Sequence, residues 1–266
     1  NTANKDRGTN VFKLYEAIDI HGRRSSPGIP EQIAFYDDGV GTQDLAPLKI
    51  LGQAFGVGLS RNVTELYADL ARVYVPGDKI FLFGFSRGAY TVRTLLGLIE
   101  TCGIPDRNKF AADAELVKAA NASYSEYRDK YRTLWGRLFR KDYVVDDPER
   151  RKRLSAVAHE EHAPGGMVKV EFIGVWDTVS AVGTPFEGLA DFWNAFVYPF
   201  RFHDQRLTKQ VNRACHAMSI DDERLTFHPT VWDESTKTHD GQIEQVWFAG
   251  VHSNVGGGYP KQGMSL

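Results

Sequence analysis

Apolar residues recur along this chain with two alternating periods. Phe12, Tyr15 and Ile18 share one face of a short helix expected from Val11 to Ile18, with Asn10 placed to cap it. A Ser-Pro-Gly turn follows, then a strand expected at Gln32–Tyr36, ending in Asp37-Asp38-Gly39. Val63, Leu66, Leu70 and Val73 return to helical spacing behind Asn62, which reads as a cap. After the Pro76-Gly77-Asp78 turn, Lys79–Phe85 is a short apolar run of β character. Another helix runs from Arg87 to about Glu100, stopped by Gly103 and Pro105. Residues 106–165 change character: Tyr124, Tyr127, Tyr131, Leu134 and Leu138 keep helical spacing, and no strand is convincing there. Strands resume at Val168–Trp176 and Gln245–Val251.

This alternation predicts an α/β fold, with a mainly parallel, doubly wound sheet and helical cap insertions. One domain across 1–266 is expected, interrupted by the helical insertion at about 106–165. The chain starts and stops without an element boundary, so a fragment lacking the first strand is expected. With 42% hydrophobic and 25% charged residues, the composition is that of an ordinary globular protein. The formal net charge of −2 gives no field that would recruit nucleic acid. Arg137–Arg140–Lys141 and Arg151–Lys152–Arg153 read as solvated helix faces. Cys102 and Cys215 cannot build a disulfide framework and lack metal-type spacing; both read as small hydrophobes in apolar helical contexts. No apolar run is long enough to span a bilayer. The polar opening Asn1-Thr2-Ala3-Asn4-Lys5 is not a signal peptide, which implies the cytoplasm of the producing cell.

The chemistry starts at Gly84-Phe85-Ser86-Arg87-Gly88, a G-x-S-x-G pattern. The bare pattern is common, but here an apolar strand leads in and a helical pattern leads out. Such a strand–turn–helix lifts the serine hydroxyl above the sheet edge. Gly84 and Gly88 are expected where strand and helix come too close for side chains. The N–H of Arg87, at the helix start, is expected to face a developing oxyanion. Gly58-Leu59-Ser60-Arg61-Asn62 lacks the second glycine and a preceding strand, so Ser60 reads as part of a helix start.

A serine needs a base to take its proton. Of eight histidines, His252 follows the buried-strand pattern 245–251 and precedes the Gly256-Gly257-Gly258 loop. His159 and His162 lie in a charged His-Glu-Glu-His segment that reads as exposed, without a third metal ligand. His203, His216, His228 and His239 read as lying on helices or polar loops. For the acid, Asp177 ends the strand Val170–Trp176, where a carboxylate can hold the imidazole tautomer. Asp37 or Asp38, and Asp221 or Asp222, are alternatives, against a plain role in turns. No metal or organic cofactor is required by this set.

Between acid and base, Phe186, Leu189, Trp193, Phe196 and Phe200 recur at helical spacing. They form either a core helix or, over about 186–200, a lid lining an acyl-chain groove.

Several segments in order carry a family resemblance: Tyr-Asp-Asp-Gly-Val-Gly-Thr at 36–42, Gly-Phe-Ser-Arg-Gly-Ala-Tyr-Thr at 84–91 and Gly-Val-Trp-Asp-Thr-Val at 174–179. His-Ala-Met-Ser-Ile-Asp at 216–221 and Val-His-Ser-Asn-Val-Gly-Gly-Gly-Tyr at 251–259 follow. Together they resemble an α/β-hydrolase domain family, long uncharacterised, that includes phospholipase effectors of type VI secretion systems. The resemblance implies a triad on Ser86, Asp177 and His252 and hydrolysis of glycerophospholipid acyl esters. It also implies a membrane surface as substrate, export by type VI secretion, a delivery protein and an immunity protein. Two other functions fit the same residues: a soluble carboxylesterase or thioesterase, and an inactive hydrolase scaffold that serves as a binding module.

Overall fold

The computed structural model describes residues 8–20, 31–37, 53–129, 147–162, 168–179, 207, 210–224, 228–236 and 241–259. Four parallel strands form its sheet, in the order β1-β2-β3-β4: β1 Ile80–Phe85, β2 Val170–Trp176, β3 Val211–Ser219 and β4 Ile243–Phe248. Their register pairs Phe85 with Trp176, Trp176 with Ala217 and Ala217 with Val246, so all four strands finish at one rim. Parallel neighbours require crossovers, and ligands of such sheets gather beyond the strands' carboxyl ends. Strand order advances one position at a time; the reversal that defines a doubly wound sheet is not among the described residues.

Helices flank this sheet. Helix α1 (Asn10–Ala17) and helix α2 (Gln53–Val73) precede β1, and α3 (Arg87–Cys102) leaves it directly. The insertion supplies α4 (Asp113–Asp129) and α5 (Pro148–Val157), with no strand among its described residues. Along α3, Ala89, Val92, Leu95, Leu96, Leu98 and Ile99 are buried, so apolar side chains occupy more than one face. One side meets the sheet, another meets α2 and α4. Tyr67 of α2, fully buried, donates its hydroxyl to Gly103 O at 2.6 Å, satisfying a carbonyl just past the end of α3. Tyr124 and Tyr127 of α4 join this core, which shows how the tyrosine-rich insertion is anchored.

Five expectations from the sequence change here. Thr9, not Asn10, caps α1: its hydroxyl accepts the Phe12 N–H at 3.3 Å. Helix α2 begins at Gln53 and runs straight through Ser60 and Asn62, which are internal residues. Residues 31–37 form no strand; Tyr36 instead packs its ring on Phe12 and Tyr15, with centroids 5.5 and 5.1 Å away. Cys215, read in a helical context, and His216, read on a helix or polar loop, are residues of the inner strand β3. His159 and His162 are buried rather than exposed, packing edge-on or tilted against Tyr74. The Arg137–Lys141 cluster, and Tyr131, Leu134 and Leu138, lie outside the described residues.

Among the described residues, no helix is long and apolar enough to cross a membrane.

Candidate active site

Three chemically competent side chains meet at the sheet rim. Ser86 sits between β1 and α3 with φ 57° and ψ −123°, a left-handed backbone that a non-glycine residue adopts at a cost of about 1–3 kcal/mol. Its N–H donates to Trp176 O at 3.0 Å, which pins the turn to β2. The turn is tight: a Cβ on Gly84 would stand 2.5 Å from Gly88 O and 2.7 Å from Ala89 N. Gly88 itself differs from expectation, since a Cβ there meets nothing within 4 Å among the described residues. What the turn uses at 88 is a close backbone carbonyl, and among the described residues the steric demand falls on Gly84.

Asp177, the first residue past β2, also has positive φ, 40°. Its N–H donates to Ala217 O at 2.7 Å, and its carboxylate is fully buried. Ser219 satisfies that carboxylate twice: its N–H reaches Oδ1 at 2.9 Å and its hydroxyl reaches Oδ2 at 2.8 Å. A buried carboxylate without such donors would be costly.

His252 opens the short helix α6 (His252–Val255) with its ring 5% exposed as part of the residue. Nδ1 lies 2.5 Å from Asp177 Oδ2, and Nε2 lies 2.8 Å from Ser86 Oγ. A carboxylate accepts only, so the proton belongs on Nδ1 and the Nε2 lone pair accepts the serine hydroxyl. The three expected residues therefore stand in one hydrogen-bonded line, drawn from strand ends far apart in sequence. Arg87 begins α3, and the first N–H groups of a helix have no intrahelical acceptor, so this turn can receive an anion. Phe186, Leu189, Trp193 and Phe196 lie outside the described residues. Among those described, no group of three or more His, Cys, Asp and Glu side chains is placed to hold a metal.

Sequence reasoning missed what holds the line in place. Phe85 packs its ring 4.6 Å from the His252 ring, inclined by 35°. Asp221 and Asp222, weighed as alternative acids against a plain role in turns, bond to the backbone of the loop that carries His252. Asp221 Oδ2 accepts the Gly250 N–H at 2.5 Å, and Asp222 Oδ2 accepts the His252 N–H at 3.2 Å. From the other end of the chain, Asn10 gives its backbone N–H to Gly256 O and its amide to Val255 O, at 2.9 and 2.8 Å.

His216 lies beneath the acid. Its Nε2 accepts the Thr178 N–H at 3.1 Å, fixing the residue after Asp177. Nδ1 faces Gln245 Oε1 at 3.4 Å, and Trp232 packs edge-on at 5.6 Å, itself covered by the Arg93 guanidinium at 4.7 Å. Burial, reinforced by the Arg93 charge, pushes the His216 pKa down to about 4, so it is neutral near pH 7. The run His-Ala-Met-Ser-Ile-Asp at 216–221 was the available signal.

The molecule is thus an α/β protein whose parallel sheet brings a serine, a histidine and an aspartate together at its carboxyl rim. It belongs to the family described as T6SS, phospholipase effector Tle1-like, catalytic domain, whose model matches residues 1–266. An uncharacterized protein of Saccharomyces cerevisiae is 27% identical over 232 residues, covering 82% of this chain. The chain spans 29% of that yeast relative's length. A solved structure, an uncharacterized protein from Pseudomonas aeruginosa, is 19% identical, with a TM-score of 0.30 over 76% of this chain and 23% of that one.

Proposed function

We propose that this protein is a serine hydrolase of the α/β-hydrolase type that cleaves acyl esters of glycerophospholipids. The observation that carries the reading is the 2.8 Å contact between Ser86 Oγ and His252 Nε2, backed by the 2.5 Å contact of His252 Nδ1 with Asp177. Membership of a phospholipase effector family supports the choice of substrate class.

The chemistry is a two-step acyl transfer. Ser86 Oγ attacks the ester carbonyl carbon as its proton passes to His252 Nε2. The charge on the carbonyl oxygen develops toward the first turn of α3, where the Arg87 N–H serves as one donor. The intermediate collapses, the bond to the glyceryl oxygen breaks, and His252 returns the proton to that leaving alcohol. A water then gives its proton to His252 and attacks the acyl-enzyme, and the fatty acid leaves as Ser86 recovers its proton. Asp177 keeps the imidazole oriented and stabilises the cation formed in each step. As an effector, the protein would be exported by a type VI apparatus through a delivery protein, act on a target cell's membrane, and be countered at home by an immunity protein.

The test measures products from vesicles of phospholipids with different chains at the two glyceryl positions, beside a short-chain nitrophenyl ester. Released fatty acid and lysophospholipid, together with labelling of Ser86 by a fluorophosphonate, are expected. Turnover of the nitrophenyl ester alone would replace this reading with a soluble esterase. Failure of both substrates and of labelling would leave only a binding module.

A further inference from the structure

The run 216–221 and its neighbour Asp222 have side chains that the reaction above does not use. In the fold it passes beneath both the acid and the base. His216 accepts the Thr178 N–H, Ser219 donates twice to Asp177, and Asp221 and Asp222 accept N–H groups from the loop that begins at Gly250. The backbone adds to this grip: Ile220 N–H donates to Phe248 O at 3.0 Å and Asp221 N–H to Gly250 O at 3.2 Å.

We propose that Asp222 is a positioning residue for His252, setting the imidazole by holding the backbone N–H of the residue that bears it. This inference rests on the reading of His252 as the general base. Asp222 does not reach the ring: Asp177 already occupies Nδ1 and Ser86 occupies Nε2. Its grip is on the first N–H of α6, a group that has no acceptor inside the helix. A negative charge at a helix N-terminus is favourable, and here the carboxylate is also anchored from behind.

Arg224 supplies the anchor. Its Nε donates to Asp222 Oδ1 at 2.8 Å, its terminal nitrogen to Oδ2 at 2.6 Å, and its backbone N–H to Oδ1 at 3.2 Å. The Asp222 side chain is 3% exposed while that of Arg224 is 55% exposed, so a buried anion is covered by a half-exposed cation. That forked pair, with the His252 N–H beside it, holds the Asp222 carboxyl well below the usual carboxylate range. Asp222 is therefore ionised at any working pH, and its Oδ2 keeps one fixed place from which the base is hung.

Geometry explains why this matters for rate rather than for substrate binding. The imidazole must hold two short contacts at once, and the acid side is fixed by Ser219 and His216 on β3. Asp222 fixes the base side from the same strand's exit, three residues after Ser219. Acid and base thus share one frame. Releasing one end lets the ring tilt away from Ser86.

Asp222→Ala removes both the acceptor and the anchor, while Asp222→Asn keeps one acceptor oxygen and loses the charge. Both are compared with the wild-type chain on a nitrophenyl ester and phospholipid vesicles, with active sites counted by fluorophosphonate. The imidazole Nδ1 proton bonded to Asp177 is followed by proton NMR, which does not depend on turnover. For Asp222→Ala, kcat per titrated site is expected to fall about 10–100-fold with KM little changed, as a small misplacement of a catalytic group does. The Nδ1 proton resonance is expected to move or broaden, and Asp222→Asn is expected to lie between wild type and alanine on both measures. If Asp222→Ala does not fold, Asp222→Asn decides, with the same directions. Either signal failing to move overturns the proposal. Wild-type protein that neither hydrolyses these esters nor labels at Ser86 would overturn the functional reading instead, leaving the resonance to judge Asp222 by itself.

Discussion

The Phe85 ring is held between the His252 imidazole, 4.6 Å from it centre to centre, and the backbone of Gly256. A Cβ at position 256 would stand 2.0–2.3 Å from three atoms of that ring. The variable residue of the G-x-S turn is therefore a wall of the imidazole's slot, and the glycine loop after His252 is shaped to admit it.

Gly256→Ala is expected to destabilise the fold by about 1–3 kcal/mol through overpacking and to lower kcat, because the ring yields toward the imidazole. Adding Phe85→Ala should recover part of the stability lost to Gly256→Ala. Urea denaturation of the two single variants and the double variant gives the coupling. Additive effects would mean that the ring and the loop do not press on each other.

The two glycines of the motif should separate. Gly84→Ala places a Cβ 2.5 Å from a backbone carbonyl that cannot step aside, so little folded protein is expected. Gly88→Ala meets nothing within 4 Å among the described residues, and alanine favours a helix over glycine by about 1 kcal/mol. Circular dichroism and thermal melts of both variants check this contrast, with Gly88→Ala expected to melt at or above the wild type.

For the reacting line itself, Ser86→Ala and His252→Ala should each lower kcat by about 10⁴–10⁶ with the fold kept. Asp177→Asn should cost on the order of 10⁴ by favouring the wrong imidazole tautomer. Steady-state kinetics on one ester suffices. A nearly silent Asp177→Asn would move the acid's role elsewhere.

His216 predicts a pH dependence of stability. Folding lowers its pKa from an ordinary 6.5 to about 4, so between those values the unfolded chain binds a proton that the folded one refuses. Its contribution is complete above pH 6.5 and is lost as pH falls toward 4, about 3 kcal/mol in all. Urea midpoints measured at pH 7 and pH 4.5 should show this slope, and His216→Gln should flatten it.

The three residues that meet at the rim were legible because the chemistry proposed for them demands a visible context. A nucleophilic serine needs an apolar strand before it and a helix after it, and Ile80–Phe85 and Arg87–Cys102 supply both. Strand β3 was hidden for the opposite reason. Val-Asn-Arg-Ala-Cys-His-Ala-Met-Ser has one β-branched residue, and its buried positions include His216 and Ser219. Those polar groups are tolerated because Thr178, Gln245 and Asp177 satisfy them, which no local pattern records. Helix α2 was shortened in the reading because Gly56, Gly58, Ser60 and Asn62 weaken helical propensity. In the fold, Leu59 and Val63 are buried in the core, and tertiary packing outweighs that weakness.

The tether from Asn10 to Val255 and Gly256 joins residues 245 positions apart. Ser86, Asp177 and His252 follow one another along the chain, and the loop that carries the last of them is held by contacts with the first described helix. The rim is therefore closed by a long-range tie: the imidazole is seated only once the segment around Val255 has met the segment around Asn10.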